Sequence, residues 1–293
     1  MAEQRYLAVG ATVANSFGDA VLDYSVNHFN YYRVLLLSAT VAGIIQFLLG
    51  FWGWGIEITW NSMPHIVIHA ILVLGGYLCF IKALELIPIG LIGLIESSSL
   101  FLTCIIDVCV GYVDLTAKFV GLLILFVLSL YIFTLSNQSK EEIDVKKITI
   151  KGFGWAFSSV LLYLLAPYLI KSANTNGANE IAINLGYYAM AIPFYAVMFI
   201  KTKSENPVAI TPRRWWQNFY LLGCVIGGFE GIYYVLETLC FIEDAPTIIS
   251  VIAQMRIFLV YGLSVLFKMD DFSFGKVIAL CLGLVSVVGI YLT

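Results

Sequence analysis

The chain has 293 residues, of which 60% are hydrophobic and 12% charged, and its mean hydropathy is +0.91. Soluble domains carry about 25% charge, so this chain cannot cover a water-facing globule, which excludes most soluble enzymes and disordered hubs. A net charge of −3 also leaves no basic surface for nucleic acid.

One membrane crossing takes about 20 apolar residues in a helix. Polar breaks divide the chain into ten such runs: 6–26, 32–54, 64–84, 89–110, 117–135, 152–170, 180–200, 216–236, 247–267 and 275–292. They are long and continuous, unlike the short alternating strands of a β-barrel. The expected fold is all-α and polytopic, with ten transmembrane helices. An integral, multi-pass protein of the plasma (inner) membrane follows as the expected location.

The first run carries Thr12, Asn15 and Asp19 at spacings of 3 and 4, one face of a helix. Its internal Asn15, Asp19 and Asp23 do not suit a signal peptide, so it reads as a retained helix. His65 and His69 open the third run four residues apart, with no third ligand nearby in sequence, and read as interfacial. Trp52, Trp54 and Trp60, and the pair Trp215-Trp216, flank helix ends as anchors.

The fourth run carries Glu96, Ser99, Thr103 and Asp107 on one face, a polar stripe suited to lining a cavity or to bonding a neighbouring helix. Asp114-Leu115-Thr116 supplies N-cap chemistry before the fifth run, as Asp271-Phe272-Ser273 does before the tenth. The charged linker at 137–151 falls near mid-chain and separates a first half, 1–136, from a second, 152–293. In the second half, Trp155 and Tyr163 belong to an interface belt or wall a pocket. Glu230 lies near the middle of the eighth run, with Gly227, Tyr234 and Glu237 at helical spacing. Gly223, Gly227, Gly228 and Gly231 permit close approach of a helix or ligand. Gln254 and Arg256 lie on the ninth run. A cation at that depth needs an acidic partner, Glu96 or Glu230. Arg256 either clamps an anionic group or forms an ion pair that opens and closes with the cavity.

Shifting the second half by 157 residues sets Phe101 against Phe258, Asp114 against Asp271 and Thr116 against Ser273. With an odd five helices per half, the second half enters from the opposite side, so the expected repeat is inverted. Lysine and arginine favour the cytoplasmic side. Three of them (Arg5, Lys118, Lys171) fall on the side of the termini and twelve on the side of the linker. The expected orientation therefore has the linker in the cytoplasm and the termini outside.

Ala83-Leu84-Glu85-Leu86-Ile87-Pro88-Ile89-Gly90 leads into the fourth run, and Gly111-Tyr112-Val113-Asp114-Leu115-Thr116 into the fifth. Together with the polar Ala14-Asn15-Ser16-Phe17-Gly18 and Arg33, this layout resembles the EamA-type halves of the drug/metabolite transporter superfamily. Asp114 stands nearest to where that family has a turn glutamate, and the family's tryptophan-glycine pair in the first helix is absent. The resemblance implies ten helices in two inverted halves, solute bound in a central cavity between them, and access alternating between sides.

The expected function is a secondary transporter for a small organic solute. Intramembrane acids outnumber Arg256, which favours an amino acid, an amine, or another cationic or zwitterionic metabolite or drug. The candidate binding residues are Asn15, Asp19, Glu96, Ser99, Trp155, Glu230, Tyr234, Gln254 and Arg256. Glu96 or Glu230 could couple protons. The expected partners are the solute, the lipid bilayer and protons, with no nucleic acid and no metal or cofactor. A lipid-modifying enzyme is disfavoured because HExxH, GxSxG and Gly-rich phosphate motifs are missing. A non-transporting membrane subunit is the other alternative. The six cysteines form no CxxC and read as packing residues.

Overall fold

In a computed structural model, the structure describes residues 2–26, 30–84, 86–87, 89–138, 150–202, 218–255, 258–259, 261–262, 265 and 273–291. Most of the linker and its charges, the loop with Pro207, Pro212 and Trp215-Trp216, the turn at Asp271, and Arg256 lie outside the described residues.

Every described element is helical: α1 (Ala2–Val26), α2 (Tyr31–Leu49), α3 (Met63–Leu84), α4 (Ile89–Val110), α5 (Ala117–Gln138), α6 (Ile150–Thr175), α7 (Glu180–Thr202), α8 (Phe219–Glu243), α9 (Pro246–Gln254) and α10 (Phe274–Tyr291). Helices keep every backbone polar group bonded internally, which a lipid environment demands. Among the described residues, five stretches are long and apolar enough to cross a membrane: Tyr31–Trp54, Met63–Ala83, Ile150–Thr175, Glu180–Thr202 and Phe219–Glu243. Shorter apolar helices follow at Ser99–Val110, Ala117–Phe133 and Phe274–Ile290.

Side chains set several of the boundaries. Asn30 Oδ1 accepts from the Arg33 amide at 3.2 Å to start α2, and Asn218 Oδ1 from the Tyr220 amide at 2.9 Å to start α8. Thr116 Oγ1 accepts from the Phe119 amide at 3.1 Å and caps α5, an N-cap within the turn that the sequence marks. The ninth run, expected over 247–267, has its first regular stretch end at Gln254, with Met255 as its C-cap.

α2 runs into a π-helical turn, Gly50–Trp54, and then an extended strap that crosses the α6–α7 connection. Asn179 holds the strap: its Oδ1 accepts from the Glu57 amide at 3.3 Å, and its own amide donates to the Glu57 carbonyl at 3.1 Å. Gly177 turns the chain there at φ +89°, and a Cβ would stand 2.7 Å from Thr59 Cγ2. Only glycine meets both conditions without strain. Trp52, Trp54 and Trp60 stay exposed along this edge, as expected of anchors.

Helix packing is orderly. α1 lies along α8, and α3 along α6. α2 packs on α7 and α8, α5 on α10, and α4 on α5, α6 and α9. α9 also touches α1, and α3 touches α7. One core joins Leu100, Phe126, Phe133, Ile249, Ile252 and Phe258 from α4, α5, α9 and the helical turns after it. A second joins Leu35, Ala42, Leu74 and three tyrosines of α7.

Candidate functional site

The second core is a cluster of tyrosines. It begins at Tyr31, where α2 starts, and stacks on Tyr77 of α3 with ring centroids 6.0 Å apart. Tyr77 meets Tyr195 of α7 edge-on at 6.0 Å. The hydroxyl of Tyr195 lies 3.5 Å from that of Tyr187, two helical turns deeper. Tyr187 then meets Tyr234 of α8 at 5.5 Å, and Tyr188 meets Tyr234 edge-on at 5.9 Å. Edge-to-face and offset pairs are the favoured geometries for aromatic rings.

Glu230 belongs to this cluster. It is half-buried near the middle of α8 and is an electrostatic neighbour of Tyr187, Tyr188, Tyr195 and Tyr234. A carboxylate among ring faces and phenol hydroxyls can hold an organic cation by charge and by cation–π attraction. Of the residues singled out in the sequence, Glu230 and Tyr234 are brought together here, with Tyr163 an electrostatic neighbour of Tyr195 and Glu237 of Tyr188.

The others go elsewhere. Asn15 is buried on α1, between Thr12 and Ser16. Thr12 Oγ1 lies 2.8 Å from the Ala8 carbonyl and 3.2 Å from the Ile252 carbonyl of α9. Trp155, half-buried, packs as Phe80 and Ile95 do against the cluster of Ala83, Ile87 and Ala156, at the corner of α3, α4 and α6. Ser99 is half-buried, and its carbonyl accepts from Thr103 Oγ1 at 2.8 Å. Gln254 is half-buried at the end of α9. Asp19 and Glu96 lie on α1 and α4 with side chains outside the described set.

Part of the α4 polar stripe has a structural use. Asp107 is fully buried. Its Oδ1 accepts from the Tyr168 hydroxyl of α6 at 2.8 Å, and its Oδ2 accepts from the Thr247 amide of α9 at 2.7 Å. The Tyr168 hydroxyl also lies 3.2 Å from the Thr103 carbonyl. Thr247 sits in the first turn of α9, where amides have no helical partner and the helix dipole favours an anion. Close by, Lys171 Nζ donates to the Ile242 carbonyl of α8 at 3.1 Å and lies 4.9 Å from the Tyr112 ring centroid. These bonds tie α4, α6, α8 and α9 together at the end of the bundle where α4, α6 and α8 finish. Of the two readings open for the stripe, its Thr103–Asp107 end follows helix-to-helix bonding.

The glycines of α8 serve a neighbouring helix. A Cβ at Gly227 would stand 2.5 Å from the Ser38 carbonyl oxygen of α2, and one at Gly231 would stand 3.4 Å from Ala42 Cα. Around Gly228 nothing lies within 4 Å. His65 and His69 face α6. His65 Nδ1 is 3.1 Å from Ser172 Oγ, and His69 is buried and bonds the Ala166 backbone. Glu237 is half-buried and accepts from the Tyr233 hydroxyl.

Sequence reasoning missed Gln46 and Asn184. Gln46 Nε2 donates to the Gly231 carbonyl at 2.7 Å. Asn184 Oδ1 accepts from Thr238 Oγ1 at 2.8 Å, and its Nδ2 donates to the Tyr234 carbonyl at 3.1 Å. The available signal was an amide side chain isolated within an apolar run, which needs partners when buried.

No family model and no curated protein matches the chain. Its fold is similar to that of a protein solved as a crystal structure: the TM-score is 0.76 at 14% sequence identity, covering 99% of this chain and 97% of the other. At that identity the likeness concerns the fold.

Proposed function

We propose that the chain is a secondary transporter, not an enzyme, that moves a small cationic or zwitterionic solute across the plasma (inner) membrane by alternating access. In this reading it is a multi-pass relative of the drug/metabolite transporter superfamily. It has ten spans in two inverted five-helix halves and uses protons as the coupling ion.

The observation that carries the reading is the helix packing. Exchanging the first five helices with the last five turns α1–α8 into α6–α3, α1–α9 into α6–α4, and α2–α8 into α7–α3. The pairs α2–α7, α4–α9 and α5–α10 map onto themselves, and each of these pairs packs. Two repeats related by a two-fold axis pack in this way, and the odd helix number per half makes the relation inverted. The α6–α8 and α7–α8 contacts depart from the rule, since no comparable packing joins α3 to α1 or to α2 among the described residues. Two halves that rock against each other have such a departure in any one state, being closed at one end and parted at the other. The Asp107 and Lys171 bonds lie at the closed end. Glu230 among the tyrosines supports an amine, amino acid or similar cation as the solute.

The test is counterflow in proteoliposomes containing the purified chain, with labelled amines and amino acids. Saturable counterflow is the expected result. Its absence for every such solute, with the fold intact, overturns the proposal.

A further inference from the structure

We infer that the site around Glu230 selects cations that carry N–H donors, such as primary ammonium, amidinium or guanidinium groups, over quaternary ammonium ions; this rests on the transport reading above.

Six buried side-chain atoms lack a hydrogen-bond partner among the described residues, and two of them, Gln46 Oε1 and Tyr188 Oη, belong to side chains of α2 and α7 that pack beside Glu230 and Gly231. An unsatisfied buried polar atom is costly, and two in one place call for a ligand or solvent to pair with them. Gln46 is fully buried and Tyr188 is 2% exposed. The bond from Gln46 Nε2 to the Gly231 carbonyl fixes the amide orientation, which leaves Oε1 as an acceptor. Gly231 follows Glu230 in the chain. Tyr188 reaches the same place from α7, since a Cβ at Gly43, one turn before Gln46, would stand 3.3 Å from Tyr188 Cβ. Glu230 is the electrostatic neighbour of that tyrosine.

The groups on α2, α7 and α8 at this level are therefore one carboxylate, one amide oxygen and the phenol oxygen of Tyr188, beside aromatic faces. A quaternary ammonium satisfies the charge and the ring faces but donates no hydrogen bond. A primary ammonium supplies three donors, and a guanidinium five. Sites built around unpaired polar groups reject ligands that cannot pair them far more strongly than apolar pockets reject a methyl group.

The experiment compares binding of phenethylamine and of N,N,N-trimethylphenethylammonium to the purified full-length chain by calorimetry. Phenethylamine is expected to bind at least about tenfold tighter, the worth of one or more hydrogen bonds to a charged group. Tyr188→Phe is expected to bring the ratio towards one by weakening phenethylamine alone. The ligand-free Tyr188→Phe protein is expected to melt no lower than wild type, because the deleted hydroxyl has no partner among the described residues. A Tyr188→Phe protein that melts several degrees lower overturns the inference. Equal wild-type affinities also overturn it but leave the cation site standing. If neither probe binds, the cation reading of the site falls with it.

Discussion

Asp107 on α4 holds the backbone amide of Thr247 on α9, with its Oδ2 2.7 Å from that nitrogen. A carboxylate from one helix thereby caps the start of another 140 residues away in the chain. Asp107→Ala leaves the amide unpaired and the Tyr168 hydroxyl with only the Thr103 carbonyl, 3.2 Å away. A loss of about 2–3 kcal/mol is expected, against about 1 kcal/mol for Tyr168→Phe. Thermal unfolding of the purified variants measures both. Equal small losses would show that the carboxylate contributes little beyond its bond to the tyrosine.

In the proposed transport reading, Glu230 and Glu96 are the carboxylates that charge and neutralise. Glu230→Gln keeps the shape and removes the charge, so solute flux should vanish while the melting temperature stays within a few degrees of wild type. Glu96→Gln is expected to do the same. Wild-type flux in both variants would refute the assignment of the site.

The glycines of α8 make a paired prediction. Gly227→Ala drives a methyl group to 2.5 Å from the Ser38 carbonyl oxygen, and backbone cannot swing aside. It should cost about 1–3 kcal/mol. Gly228→Ala meets nothing within 4 Å and should be neutral or slightly stabilising, because alanine favours helix. Comparing the two unfolding midpoints checks this; equal effects would mean that α2 and α8 do not approach at Gly227.

A reporter fused at Thr293 addresses orientation. The distribution of lysine and arginine predicts termini outside. A reporter that is active only in the cytoplasm should therefore be silent at this position, and one active only outside should report. The reverse pattern would overturn the orientation.

Much of the helix layout was legible along the chain, because an apolar run bounded by polar breaks is a local property. Thr116 capping α5 and Asn30 capping α2 are equally local, since a cap reaches amides only two or three residues on. Asp107 shows where such reading stops. Its spacing from Ser99 and Thr103 set it on one helix face, but nothing local distinguished a cavity from a neighbouring helix. The tyrosines were harder still. Tyr77, Tyr187, Tyr188 and Tyr195 are ordinary aromatic residues in apolar runs, spread over two helices, and Gln46 stands alone in a third.

The sequence by itself determined that the chain is apolar, helical and nearly free of charge within its runs. Low charge and long hydrophobic runs are sums over composition and need no contacts. Only the tertiary structure decided what the few interior polar groups do. A carboxylate's role depends on which groups lie within about 3 Å of it, and those came from other helices. By that measure Asp107 became a cap for α9, while Glu230 came to lie among tyrosines. The same 12% charge that ruled out a water-facing globule is thus divided, at depth, between holding helices together and marking the proposed site.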